Sequence, residues 1–236
     1  DLPAAFSGVF VTGATMANVA GLALGREWVG RQQGVSIAEA GLSAAPRIAV
    51  IGGAAHSSIH KALAMLGLGR ASYHCAATLP GDREAVDLLD LRRRLDALAG
   101  APCIVVANAG TVNTVDFDDL QAIAALKETY PDSLTTDAHK WFTTPYDAAM
   151  VFTPHLELQY AVFQNNAAYL GEIREPIDFV HLAPENSRRL RALPVWFTLL
   201  AYGRSGYQAI VEQNCAQAQR FAGRVAASAD FVLLAP

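Results

Sequence analysis

The sequence predicts an α/β fold, with a mostly parallel sheet and helices on both of its faces. Three observations carry this. Short, near-continuously apolar runs such as RIAVIGG (47–53) and PCIVVANAG (102–110) alternate with segments of helical periodicity. Glycines close most of the apolar runs, where a chain leaving a strand has to turn. No internal repeat breaks the alternation. Strands apolar along their whole length need cover on both sides, and intervening helices supply it.

Taken in order, GVFVTG (8–13) is a short strand entering a glycine turn. ATMANVAGLALGREWVGRQQG (14–34) has apolar residues at helical spacing and stops on Gly34. RIAVIGG is the second strand. HSSIHKALAMLGLG (56–69) is a helix opened by Ser57 or Ser58 and closed by Gly67 and Gly69, and ASYHCAATL (71–79) reads as a strand. DREAVDLLDLRRRLDALAG (82–100) is amphipathic, with acids early and arginines late, as the helix dipole prefers. PCIVVANAG is a buried strand, FDDLQAIAALKETY (117–130) a helix and AAMVFTP (148–154) a strand. Residues 192–228 form one or two long helices.

Composition narrows the function. With 236 residues, 52% hydrophobic and 17% charged, the chain can bury a sizeable core. The net charge of -4 and the lack of a basic stripe argue against nucleic acid as a partner. No apolar run is long enough for a transmembrane helix. The stretch DLPAAFSGVF lacks the basic and apolar regions of a signal peptide. Cys75, Cys103 and Cys215 are odd in number and far apart, so reduced thiols and a cytoplasmic location are expected, with no metal site.

Parallel sheets bind ligands at the carboxyl ends of their strands. Three such ends carry small, hydroxyl- or amide-bearing residues: Thr12-Gly13-Ala14-Thr15, Gly52-Gly53-Ala54-Ala55-His56-Ser57-Ser58 and Asn108-Ala109-Gly110-Thr111-Val112-Asn113-Thr114. The first opens a helix, so its free amides, the helix dipole and the Thr15 hydroxyl suit a phosphate. An ordinary helix cap explains the same residues.

One lysine stands out. The chain has fifteen arginines but only Lys61, Lys127 and Lys140, and Lys140 sits in TTDAHKWF (135–142), between His139 and Trp141. A lysine shielded by aromatic rings has a depressed pKa and reacts with aldehydes. A phosphate cradle together with such a lysine suggests pyridoxal 5'-phosphate, with His56 placed to stack on its ring.

These segments resemble, in order, those of the pyridoxal-phosphate-dependent amino-acid decarboxylases of the glutamate and aromatic-L-amino-acid type. GVFVTGATMANVAGLALGRE is similar to the family's phosphate segment, AAHSSIHKAL to its ring-stacking histidine segment and VANAGTVNTVDFDDL to its Gly-Thr strand end. TTDAHKW is similar to the cofactor-lysine motif, and PENSRRLRALPVWFTLLAYGRSGY to the stretch after the mobile catalytic loop. The resemblance implies an aspartate-aminotransferase-like large domain (fold type I) over residues 1–228, with 229–236 beginning a truncated small C-terminal domain. It implies that Lys140 carries the cofactor and that His56 stacks on it and meets the substrate carboxylate. It implies that Ala14 and Thr15 hold the phosphate, that Thr111 lies near the ring hydroxyl, and that Asp137 is a phosphate or hydrogen-bond partner. His139 supports the lysine or is a core histidine.

The activity implied is decarboxylation of an L-amino acid to its amine, with a lean to aromatic substrates. The alternatives are a lyase acting on a phosphorylated amino alcohol and a cofactor-binding protein without activity. A homodimer with a shared active site is also implied. ALPVWFTLLAYG fits either a subunit contact or a buried core helix.

The chain departs from the family at one place. The family has an apolar strand ending in aspartate, of the form WLHVD, between the Gly-Thr strand and the lysine, and its acid pairs with the ring nitrogen. Here KETYPD runs directly into SLTTDAHKW. The expectation is a gap near Pro131–Ser133 of roughly 30 residues, about one strand with its connection, or a real loss of the aspartate. Asp116, Asp118 and Asp119 read as helix caps. The stretch LGEIREPIDFVHLA (170–183) is shorter than the family's catalytic loop and holds no tyrosine.

Overall fold

A computed structural model describes residues 2–126, 132–170 and 177–233. The strands are β1 (Ser7–Val11), β2 (Ala49–Gly52), β3 (Tyr73–Cys75), β4 (Cys103–Val106), β5 (Leu134–Asp137) and β6 (Ala149–Thr153). The α-helices are α1 (Ala14–Gln32), α2 (Ile37–Ala40), α3 (Ser57–Met65), α4 (Leu88–Asp96), α5 (Leu120–Ala125), α6 (Leu156–Phe163) and α7 (Ala192–Ala226). Most expected elements are present but shorter. The strand over 134–137 was not expected, because LTTD lacks an apolar run. Residues 82–87 do not join α4, since Val86 forms a β-bridge to Thr78. The stretch 192–226 is two helices joined at Gly203, whose φ of 59° breaks the helical path. Residues 234–236 at the end of the expected C-terminal segment, 127–131 before the expected gap and 171–176 of the stretch 170–183 lie outside the described residues.

The strands form two sheets of three, in the orders β1-β6-β5 and β3-β2-β4. The second is parallel throughout. In the first, β6 runs antiparallel to both neighbours, so β1 and β5 point the same way. Ala149 of β6 lies opposite both Val11 and Asp137, which brings the carboxyl ends of β1 and β5 level with each other. Among the described residues no ladder joins β4 to β5. The expected departure near 131–133 thus coincides with a break in the sheet.

Helix α1 spans that break. Its Ala17 and Ala20 pack with Val9, Val11, Ala149 and Val151 of the first sheet. Its Val19 and Leu22 pack with Val50 of the second sheet and with Ile59, Ala62 and Leu63 of α3. Small residues let both edge strands approach one face. A Cβ on Gly21 would lie 2.8 Å from Ser133 Oγ, and one on Gly25 would lie 3.3 Å from Ile104 of β4. The central strands β2 and β6 are mostly buried, whereas β4 is half-buried along its whole length. That corrects the expectation of a fully buried strand at 102–110. Among the described residues β4 is an edge, with no strand paired on its other side.

Candidate active site

The first sheet builds a charged node at its carboxyl end. β1 turns through Thr12-Gly13 into α1, and Gly13 offers no side chain to cap the helix. Asp137, at the end of β5, takes that role across the sheet: its Oδ1 accepts the Ala14 N–H at 3.0 Å. Its Oδ2 lies 3.4 Å from Lys140 Nζ, and its Oδ1 lies 3.6 Å from His139 Nδ1. The Asp137 side chain is only 6% exposed. A carboxylate at a helix N-terminus is stabilised by the helix dipole and by unpaired amides. Ala14, Asp137, His139 and Lys140 are therefore joined directly.

Lys140 itself corrects an expectation. Its side chain is 65% exposed and paired with a carboxylate, not shielded by rings. Trp141 is exposed, Phe142 turns away to pack on Tyr207, and His139 stacks on Tyr146 at 4.5 Å. Residues that alternate on leaving a strand point to different sides, so sequence neighbours of the lysine do not enclose it.

The second sheet presents His56 and the Thr111 loop at the ends of β2 and β4. His56 caps α3: its Nδ1 accepts the Ser58 N–H at 3.2 Å, and the residue is exposed. The loop leading to it is pinned by two bonds to backbone carbonyls, from Tyr73 Oη to Gly53 at 2.8 Å and from Asn108 Nδ2 to Ala54 at 3.3 Å. Burial pushes the Tyr73 hydroxyl pKa up.

Thr111 is tied into its own loop. Its Oγ1 accepts the Asp116 N–H at 3.0 Å and lies 2.9 Å from Thr114 Oγ1. Glu84 accepts from Asn113 and Thr114, and these hydrogen bonds, that of Asn113 foremost, pull its pKa down to about 2.

Asp116 and Asp118 are not helix caps, contrary to expectation. Asp116 accepts from the Glu84 N–H and pairs with Arg83, and the Glu84 amide is the main reason its pKa is lowered. Asp118 is 3% exposed and accepts the N–H groups of Val86 and Asn108, each at 2.7 Å. Of these three, Asp119 alone caps a helix, accepting from the Ala122 N–H.

The node fits one end of a phosphate-bearing aldehyde. The Ala14 amide already holds an anion, the Thr15 hydroxyl has no partner among the described residues, and an exposed amine stands beside them. Among the described residues no strand between β4 and β5 supplies the acid expected at a ring nitrogen, and the buried carboxylate oxygens of Glu185 have no hydrogen-bond partner. The acids buried as whole residues are Glu27, Asp116 and Asp118. Each is committed elsewhere, Glu27 to Arg31, Ser36 and the Ala38 amide. Among the described residues, no cluster of three or more His, Cys, Asp or Glu is placed to hold a metal.

Residues 128–235 match the pyridoxal-dependent decarboxylase conserved domain. The aromatic-L-amino-acid decarboxylase of Bacillus atrophaeus is 24% identical over 99% of this chain and 54% of its own length. The aspartate 1-decarboxylase of Aliivibrio fischeri is 27% identical over 96% of this chain and 48% of its own length. This chain thus spans about half the length of these relatives. The match to the Bacillus protein runs over 271 positions, more than the 236 residues present here, so the relative carries residues inside the match that this chain lacks. Among solved structures, Oryza sativa TDC with PLP and tryptamine superposes with a TM-score of 0.86 at 22% identity, covering 100% of this chain and 56% of that one. Mouse CSAD gives 0.81 at 21% identity over 94% of this chain and 52% of its own. The fold is thus the one these solved structures share, and residues 128–235 are similar to the pyridoxal-dependent decarboxylase conserved domain.

Proposed function

We propose that this chain forms the cofactor-binding part of a pyridoxal-phosphate-dependent amino-acid decarboxylase, a carboxy-lyase. The observation that carries this is the node in which Asp137 joins the start of α1 to Lys140. Bound pyridoxal phosphate would supply an electron sink for the charge left as carbon dioxide departs. The residues of this chain bind and orient. The first turn of α1, with the Thr15 hydroxyl, holds the phosphate. Lys140 Nζ would be the amine that holds the cofactor's aldehyde. Asp137 keeps that ammonium beside the helix end before the cofactor arrives, and His139, 3.6 Å from the same carboxylate, steadies it. His56 would cover the ring and meet the substrate carboxylate, and Thr111 would serve the ring hydroxyl.

Aromatic substrates are favoured by relatives that include a tryptophan decarboxylase of Camptotheca acuminata, 23% identical over 77% of this chain. A homodimer closing the site is supported by the apolar residues that α7 leaves exposed, Leu193, Trp196, Phe197, Leu200 and Tyr202. A cytoplasmic location accords with the three free cysteines, and among the described residues no helix is long and apolar enough to cross a membrane.

The test is reconstitution. Protein mixed with pyridoxal phosphate should turn yellow and release carbon dioxide from an aromatic L-amino acid, and Lys140→Ala should do neither. Colour without carbon dioxide from any amino acid would favour a second reading, a cofactor-binding protein without activity. The unjoined β4 and β5 edges, with no acid-bearing strand between them among the described residues, favour that reading.

A further inference from the structure

The ring of His56 is held by more than its own loop. Its Nδ1 accepts the Ser58 backbone N–H at 3.2 Å and lies 2.7 Å from Ser58 Oγ. A backbone amide can only donate, so Nδ1 carries no proton, and the Ser58 hydroxyl facing it donates as well. Ser58 is 5% exposed, and its Oγ accepts from Asn18 Nδ2 at 2.9 Å. Asn18 Oδ1 in turn accepts the Thr135 hydroxyl at 2.8 Å. The amide at one end fixes the direction of every bond. The result is a relay from Thr135 through Asn18 and Ser58 to His56. It begins in β5, crosses α1 and ends at the start of α3, on the far side of the break between the sheets.

We propose that this relay sets His56 as the neutral tautomer protonated at Nε2 and fixes its ring plane relative to β5, the strand that leads to Lys140. Resting on the decarboxylase reading above, it makes Nε2–H the donor that holds the carboxylate of the amino-acid substrate. Ser58, Asn18 and Thr135 are positioning residues. A proton on Nδ1 would forfeit the bond from the Ser58 amide and reverse the one with Ser58 Oγ, turning that hydroxyl's proton away from the ring, so the opposite tautomer is disfavoured. A neutral donor also suits the chemistry. A full positive charge would bind the departing carboxylate more tightly in the ground state than in the transition state, where its charge is leaving. A plain helix cap explains the bond from the Ser58 amide. It does not call for Asn18, or for a threonine 117 residues further along the chain.

Nitrogen-15 NMR of the histidine-labelled protein reads the tautomer directly, with neither cofactor nor substrate present, and His56→Gln assigns the signals. The parent should show an unprotonated Nδ1 and a protonated Nε2. In Asn18→Asp the side chain only accepts, so the Ser58 hydroxyl turns away from the ring, and the population should move toward the Nδ1–H form by about fivefold, the worth of one net hydrogen bond. Ser58→Ala should also shift the pattern, and Ser58→Thr, which keeps the hydroxyl, should restore it. In the full enzyme, Ser58→Ala should lower kcat more than it raises KM. Identical His56 signals in the parent, Ser58→Ala and Asn18→Asp would overturn the relay. Failure of the parent to take up cofactor would strike instead at the decarboxylase reading, since the nitrogen pattern decides the relay without it.

Discussion

The two half-sheets divide the site between them and are stabilised differently. The β1-β6-β5 sheet holds its part of the site by charge: a carboxylate, a helix end and an amine meet at the ends of two strands that flank β6. The β3-β2-β4 sheet holds its part by backbone capture, with Asp118, Asp116 and Glu84 gripping amides of facing loops. The first can exchange one anion for another, because its amine is exposed. The second is a fixed wall. Among the described residues what joins them is α1, together with the hydrogen bonds of Asn18, and not a shared strand. In this chain, then, one helix sets the relative position of the lysine and the histidine.

The strongest challenge to the fixed wall is Asp118→Ala. It leaves the buried amides of Val86 and Asn108 without an acceptor and should cost about 3 kcal/mol of stability, read from denaturant unfolding. A loss below 0.5 kcal/mol, the scale of an ordinary surface change, would mean that the loops are held some other way.

Gly52→Ala comes next. The added Cβ would lie 2.4 Å from the Val106 carbonyl oxygen and 2.5 Å from the Tyr73 hydroxyl, so β2 and β4 must separate. A destabilisation of about 2 kcal/mol is expected, with faster amide exchange in β3-β2-β4 than in β1-β6-β5. Equal loosening of both sheets would show that they behave as one unit.

On the charged side, Thr15→Ala should weaken cofactor binding by about 1–3 kcal/mol, the worth of hydrogen bonds to a charged group. Direct titration measures it, and an unchanged affinity would return this turn to the role of a plain helix cap.

The smallest effect expected is with pH. Hydrogen bonds hold the Glu84 carboxyl at about 2, below its ordinary 4.5, so the folded state prefers it ionised. Its contribution is present above pH 4.5 and is lost as pH falls toward 2. Amide exchange in the 108–118 loop should therefore quicken across that window, and Glu84→Gln should flatten the response.

What was legible in the sequence was local. The Gly34 stop of α1, the TTDAHKW motif and the small residues at strand ends all act through near neighbours. The departure from the WLHVD form was also local, a run from KETYPD into SLTTDAHKW with no room for that strand. The contacts that assemble the site were not legible. Asp137 meets Ala14 across 123 residues, and Thr135 meets Asn18 across 117. LTTD gave no apolar signal for β5, because an edge strand ending in the site is polar for reasons of chemistry. The exposure of Lys140 was misread for a related cause, since aromatic neighbours in sequence say nothing about which side each faces. Ser58 and Asn18 did carry a faint signal. A serine two residues after a capping histidine can reach its ring, and Asn18 lies one helical turn from Ala14.

The central claim is that the Asp137 node, and no other place on the chain, takes the aldehyde. Three lysines make the test clean. The protein is loaded with pyridoxal phosphate at equimolar ratio, reduced with borohydride, digested and mapped by mass spectrometry. The account predicts the phosphopyridoxyl mass on Lys140 alone, with Lys61 and Lys127 unmodified. A label spread over the three lysines, or absent from Lys140, would contradict it.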